Sequence, residues 1–152
     1  MKIGIISDTH GLLREEVVEA LQGVDMILHA GDIDTPLVLA DLKLIAPVIA
    51  VRGNMDHGGW AYSLKKTEYV ECEGHLICIV HDLGKLDIDP VAAQCSVVIS
   101  GHTHKPLIRR QGGMLYLNPG SAGPRRFHLP VSMAILTIID SQLRPELITL
   151  PV

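Results

Sequence analysis

Short runs of aliphatic and β-branched residues recur along the chain, and each gives way abruptly to glycine, aspartate, asparagine or histidine. Lys2–Ile6 runs into Ser7-Asp8-Thr9-His10, Asp25–Leu28 through His29 into Gly31-Asp32, and Val48–Val51 into Gly53-Asn54. Further on, Leu76–Val80 stops at His81, and Val97–Ser100 stops at Gly101-His102-Thr103-His104. Runs of this length, bounded by turn residues, read as buried strands. Between the first two, Leu13, Val17, Ala20, Leu21 and Val24 fall on one helical face, with Arg14, Glu15, Glu16 and Glu19 on the wet side. Thr35-Pro36 starts a second helix as cap and first-turn proline, Val38, Leu42 and Ile45 repeat on its inner face, and Pro47 opens the next strand. Two right-handed crossovers of this kind predict a parallel sheet with its functional rim at the strand carboxyl ends.

From Thr67 the pattern changes. Thr67–Cys72 and His75–Val80 flank Glu73-Gly74, and Leu107–Gln111 and Met114–Leu117 flank Gly112-Gly113, both hairpin signals. Val131–Ile139 predicts a long apolar strand, paired with Pro145–Leu150 across Ser141-Gln142, and Pro90–Gln94 a short helix. The expected architecture is α/β with an α+β second half. It is one domain over residues 1–152, with two sheets face to face and helices outside.

A chain of 152 residues is long enough to bury one core unaided. An apolar fraction of 47% and a mean hydropathy of +0.29 fit a sheet covered on both faces. No run approaches the roughly 18 apolar residues that span a bilayer. The N-terminal run meets Asp8 and His10 with no cleavage pattern, which reads as a first strand and not as a signal peptide. Cys72, Cys78 and Cys95 are odd in number, lack a C-x-x-C and sit in or beside apolar runs. They read as buried reduced thiols, and a cytoplasmic location is expected. A net charge of −4 and 3% aromatics disfavour a polyanion-binding surface or a base-stacking platform. Neither a nucleic-acid polymer nor a membrane is expected as a partner.

If the runs share one rim, they gather Asp8, Asp32, Asn54, His10, His81, His102 and His104. Two carboxylates, one amide and four imidazoles are about what two divalent transition metals need. Singly, each has a plainer role. Asp8, Thr9 and Asp32 suit helix caps, Asn54 a turn beside Gly53, and His81 a core position. The argument lies in the set. His29 is a candidate support for these side chains, whereas His57, His75 and His128 read as surface or turn residues.

The ordered set D-x-H (Asp8, His10), G-D (Gly31, Asp32), G-N-x-D (Gly53, Asn54, Asp56), H (His81) and G-H-x-H (Gly101, His102, His104) resembles the calcineurin-like metallophosphoesterase superfamily. The Ser7–Gly11 wording and Asn118-Pro119-Gly120-Ser121 look most like its small bacterial and archaeal phosphodiesterase branch. That resemblance implies a four-layer sandwich of two mixed β-sheets flanked by helices. It implies Asp8, His10 and His104 on a first metal, Asn54, His81 and His102 on a second, and Asp32 bridging both. The metals would be two divalent transition ions, Mn²⁺ first, with Fe, Zn, Co or Ni as alternatives. Asp32, Asn54 and His81 are the implied catalytic residues, supported by Asp56, Asn118 and His29. The implied reaction is hydrolysis of small phosphodiesters by a hydroxide shared between the metals.

Departures qualify this. Many relatives carry a histidine between Asn and Asp of G-N-x-D, but here Met55 occupies that place and cannot transfer a proton. This leans toward diesters and against phosphomonoesterase, nucleotidase or protein phosphatase activity, unless another acid such as His57 serves. Asp82 follows His81 where glycine is common, and the short span between His81 and His102 leaves little room for a capping insertion, so an open site is expected. Asn118–Arg126 reads either as a Gly/Pro turn or as a loop at the rim, with Arg125 and Asn54 as candidate phosphate contacts. A non-catalytic scaffold of the same fold is the alternative from another class, although all seven donors are retained. Apolar hairpin edges leave homo-oligomer formation open.

Overall fold

The structure is a computed structural model that describes residues 1–152. Ten strands form two five-stranded mixed sheets. The first has β1 (Lys2–Ile6) at its centre, parallel to β2 (Met26–His29), which is parallel to β3 (Val48–Ala50). On the other side of β1 lie β9 (Ser132–Ile139) and β10 (Gln142–Thr149), both antiparallel to their neighbours. The second sheet runs β4 (Thr67–Cys72), β5 (His75–Val80), β6 (Val97–Ile99), β8 (Met114–Asn118) and β7 (Leu107–Gln111). In it β5, β6 and β8 are parallel and the two edges antiparallel.

The sheets pack face to face through Ile3, Ile5 and Leu28 of one against Ile77, Ile79, Val97 and Ile99 of the other. Each fully buried aliphatic side chain contributes about 1.5–3 kcal/mol of burial. The outer face of the first sheet is covered by α1 (Glu15–Ala20) and α2 (Pro36–Lys43), through Val17, Leu21, Val38 and Leu42. Thr35 caps α2 by accepting from Leu37 N. The outer face of the second sheet is covered by a loop with one 3₁₀ turn, Leu83–Lys85, over a small cluster of Cys78, Cys95, Val98 and Met114.

Several expectations need correction. α1 is shorter than its apolar face, because the chain leaves the helix at Leu21 and turns at Gly23, whose φ is +83°. Pro90–Gln94 makes hydrogen-bonded turns instead of a helix. Asp89 caps Val91 N and left-handed Gln94 ends the segment, which leaves no room for a second turn. The last hairpin turns at Asp140-Ser141, both left-handed, one residue earlier than predicted. A short α3 (Gly59–Tyr62) was not foreseen. The second half is the more antiparallel, as expected, but it keeps the parallel pairs β5–β6 and β6–β8, and β9 and β10 return to the first sheet so that both sheets are mixed.

Candidate metal centre

Five strands, β1, β2, β3, β5 and β6, deliver their carboxyl-terminal loops to one rim. Backbone bonds tie the loops together: Asp8 N to Gly31 O at 3.0 Å, His10 N to Asp32 O at 3.0 Å, and Gly101 N to His81 O at 3.0 Å. Asp8, His10, Asp32, His102 and His104 all take left-handed backbone, with φ between 46° and 70°. Aspartate and histidine are among the few non-glycine residues that tolerate it, at roughly 1–2 kcal/mol each. Concentrated strain of this kind marks functional loops. The loops also approach closely. A Cβ at Gly53 would collide with Asp32 N and its carboxylate, and one at Gly101 with Ser7 Oγ.

Each aspartate spends one oxygen on the protein and turns the other inward. Asp8 Oδ2 accepts from Ser7 Oγ at 2.7 Å and His102 N at 3.0 Å. Its Oδ1 faces His104 Nε2 at 3.3 Å and His10 Nε2 at 3.7 Å. Asp32 Oδ1 accepts from Met55 N at 2.9 Å, leaving Oδ2 at 3.2 Å from His81 Nε2 and 3.8 Å from His10 Nε2. Asn54 Oδ1 and His102 Nδ1 converge on His81 Nε2 at 3.0 and 3.3 Å. The candidate donor atoms of Asp8, His10 and His104 lie within 4.8 Å of one another, as do those of Asp32, His81 and His102. Asp32 Oδ2 stands between the two groups.

The imidazole tautomers follow from their partners. Ala30 O accepts from His81 Nδ1 at 2.7 Å, and Asp34 Oδ2 from His10 Nδ1 at 3.3 Å, so each Nε2 turns its lone pair into the cluster. Burial alone would raise the Asp8 carboxyl, but His10, His104 and the Ser7 hydroxyl together hold it far below the usual carboxylate range. Asp32 is likewise lowered, burial being outweighed by His81 and the Met55 N–H. The His10 imidazole is raised, chiefly by Asp8. His81 is raised against its burial by Asp32 and Asp8. A site that draws protons onto its imidazoles also attracts cations.

The donor set fits a pair of divalent cations on a second count. Asp8 Oδ1, His10 Nε2 and His104 Nδ1 are buried without a hydrogen-bond partner. An orphaned buried polar atom costs about 1–3 kcal/mol, and a cation beside Asp8 Oδ1 and His10 Nε2 would satisfy both. Carboxylate and amide oxygens combined with imidazole nitrogens suit first-row transition ions.

Behind these side chains, Asp56 accepts four backbone N–H groups, from Asp32, Ile33, Asp34 and Gly53, at 2.8–3.0 Å. It thereby clamps the Asp32 and Asn54 loops together. His29 is fully buried; its Nδ1 accepts from Gly31 N, so Nε2–H donates to Thr9 Oγ1 at 3.0 Å. Asn118 Nδ2 donates to Gly101 O and Thr103 Oγ1, steadying the loop that carries His102 and His104. Arg125 lies elsewhere, donating to Val152 O at the surface, whereas Arg126 lines a cavity with His102. Met55 leaves its side chain half exposed and contributes its N–H. Sequence reading did not single out Ser7 and Asp34 as partners of the candidate donors, or Thr9 as the partner of His29. Their only signal was adjacency to Asp8 and Asp32.

The residues matched by the family model described as the calcineurin-like phosphoesterase superfamily domain are 1–141. A probable metallophosphoesterase of Methanothermobacter thermautotrophicus is 36% identical, covering 97% of this chain and 92% of its own. The Escherichia coli phosphodiesterase YfcE is 29% identical, over 90% of this chain and 87% of its own. The solved structure of an archaeal phosphodiesterase superposes with a TM-score of 0.80 at 25% identity, covering 97% of this chain and all of that one (100%). A family match over nearly the whole length, joined to a rim of buried donors, leaves one assignment: the chain belongs to the calcineurin-like phosphoesterase superfamily.

Proposed function

We propose that this protein is a metal-dependent phosphodiesterase holding two divalent transition-metal ions. Asp8, His10 and His104 would hold one ion, Asn54, His81 and His102 the other, and Asp32 both. The observation that carries this reading is Asp32 Oδ2, 3.2 Å from a donor of one group and 3.8 Å from a donor of the other. Mn²⁺ suits the mixed oxygen and nitrogen donors, and Fe, Zn, Co or Ni are the alternatives. Bound there, two such ions supply Lewis acidity and a water acidic enough to act near neutral pH.

The chain's own residues do the rest. Asp8 and Asp32 offset cationic charge and position the reacting centre. His81, fixed by Ala30 O, keeps its Nε2 lone pair aimed inward. Asn54 and His102 are solvent-accessible and stand where an incoming phosphoryl group would meet the rim. The phosphate contact assigned to Arg125 moves to Arg126, which shares a cavity wall with His102. Met55 offers no proton to a departing alkoxide, which favours diesters over monoesters. The three buried, unpaired thiols accord with a cytoplasmic setting. A pure scaffold is disfavoured by the retention of all seven donors.

The test is hydrolysis of bis(4-nitrophenyl) phosphate and 4-nitrophenyl phosphate by metal-stripped protein titrated with Mn²⁺. Metal-dependent diester turnover above monoester turnover is the expected result. Faster monoester turnover would transfer the assignment to phosphomonoesters. Metal binding without turnover of either would remove it.

A further inference from the structure

A cavity of about 270 Å³ opens beside the second donor group, with Asn54, His81 and His102 in its wall. The same wall holds Arg52, Lys66 and Lys85, and Val80 is its one hydrophobic residue. These cations come from three separate segments: the chain after β3, the approach to β4, and the 3₁₀ turn. None forms an ion pair; the sole Lys or Arg ion pair in the protein is Lys65 with Glu68, at 3.8 Å. Arg52 is partly buried and its guanidinium sits over the Tyr62 ring, 5.2 Å from the centroid, so its position is set by packing. Asp82, the acidic residue of the wall, forms no ion pair with these three cations. Its Oδ1 accepts from Gly84 N and its Oδ2 lies 3.9 Å from His102 Nε2.

Three unpaired cations converging in an otherwise acidic protein repel one another, and a cavity focuses their field. The reacting phosphate does not require them, because it would be neutralised at the donor groups. A polar cavity continuous with those groups takes the remainder of the substrate. Resting on the phosphodiesterase reading, we infer that the substrate is a phosphodiester with a second anionic group on one arm, which Arg52, Lys66 and Lys85 bind beside the reacting phosphate. Arg52 can meet a phosphate or carboxylate with two parallel N–H donors, and the two lysines add point charge.

The test compares bis(3-phosphopropyl) phosphate with bis(3-hydroxypropyl) phosphate on the Mn²⁺-loaded protein. In both, water oxygen bonds to phosphorus and one P–O ester bond breaks, with a proton passing to the leaving alcohol. Because the arms are identical, the result does not depend on which one leaves. A preference of about tenfold or more in kcat/KM for the phosphate-bearing diester, carried in KM, is expected. It should shrink as salt rises. In the Lys66→Ala/Lys85→Ala variant, with a thermal midpoint matching wild type, the ratio should fall to about two or below. Calorimetric binding of propane-1,3-diol bisphosphate against 3-hydroxypropyl phosphate supplies a readout independent of turnover, with the same ratio and the same loss in the variant. Equal kcat/KM and equal affinity, or a preference untouched by the substitutions, would overturn the inference. If bis(4-nitrophenyl) phosphate is hydrolysed in that case, the phosphodiesterase reading survives it. If no diester is hydrolysed yet the bisphosphate binds through these cations, the anion site stands and the phosphodiesterase reading fails.

Discussion

The two donor groups differ in how they meet solvent. Asp8, His10 and His104 are sealed: Asp8 has no exposed surface, and the His104 and His10 side chains are 3% and 17% exposed. In the second group Asp32 and His81 are equally buried, but the His102 side chain is 44% exposed and Asn54 is open. The sealed group carries all three orphaned polar atoms. The open group faces the basic cavity. On the proposed reading, one half would retain a cation and the other admit a ligand, with Asp32 joining them.

Asp32→Asn should break the comparison most sharply, since it removes a carboxylate whose Oδ2 lies 3.2 Å from His81 Nε2 of one group and 3.8 Å from His10 Nε2 of the other. Diester turnover should fall about 10³-fold or more while circular dichroism remains unchanged. Metal analysis should find less than the wild-type complement per chain. Retention of full activity with Asn at position 32 would rule out a shared ligand.

Asp56→Ala attacks the open group from behind, leaving three buried N–H groups and one part-buried one without their acceptor. A loss of about 3 kcal/mol in urea unfolding is expected, together with weakened metal binding. An unfolding midpoint like that of wild type would show that water replaces the carboxylate.

His29→Gln sharpens the other half. Burial pushes the His29 imidazole down to about 3, so the folded protein keeps it neutral while the unfolded chain protonates it near 6.5. Its neutral form is fully compatible with folding above about pH 6.5. Below that, the unfolded state binds the extra proton, and stability falls with pH by about 1.4 kcal/mol per unit, or about 2 kcal/mol by pH 5. In His29→Gln this part of the slope should vanish when unfolding is followed from pH 7 to pH 5. An unchanged slope would place the acid sensitivity in other groups.

The smallest effect should come from Met55→His, at the open lip. The residue is 49% exposed, so the substitution is tolerated. Monoester turnover should rise several-fold relative to diester turnover, roughly 1 kcal/mol of differential barrier. No change in the ratio would remove Met55 as the source of diester preference.

The strands, both early crossovers and two of the hairpin turns were legible because they depend on local rules. Apolar runs of strand length bury themselves, Thr35-Pro36 starts a helix, and Glu73-Gly74 and Gly112-Gly113 take the left-handed pair of a tight turn. The Asp140-Ser141 turn escaped because neither residue is glycine, and its conformation is imposed by the β9–β10 register. The candidate donors stood out for a related reason. Histidine, aspartate and asparagine placed directly after buried strands have few roles in common other than holding cations.

What the sequence by itself determined is therefore the set of candidate donors and their place at the ends of strands. Tertiary structure decided which oxygen of each aspartate faces inward, since that depends on His102 N reaching Asp8 and Met55 N reaching Asp32 from distant loops, with the neighbouring Ser7 Oγ reinforcing the first. It also decided that Arg125 turns away, that Asp56 clamps two loops, and that Arg52, Lys66 and Lys85 share one wall. A strand pattern carries a period and a boundary. The direction of a side chain beyond that boundary is set by contacts between segments far apart in the chain, and no local rule encodes them.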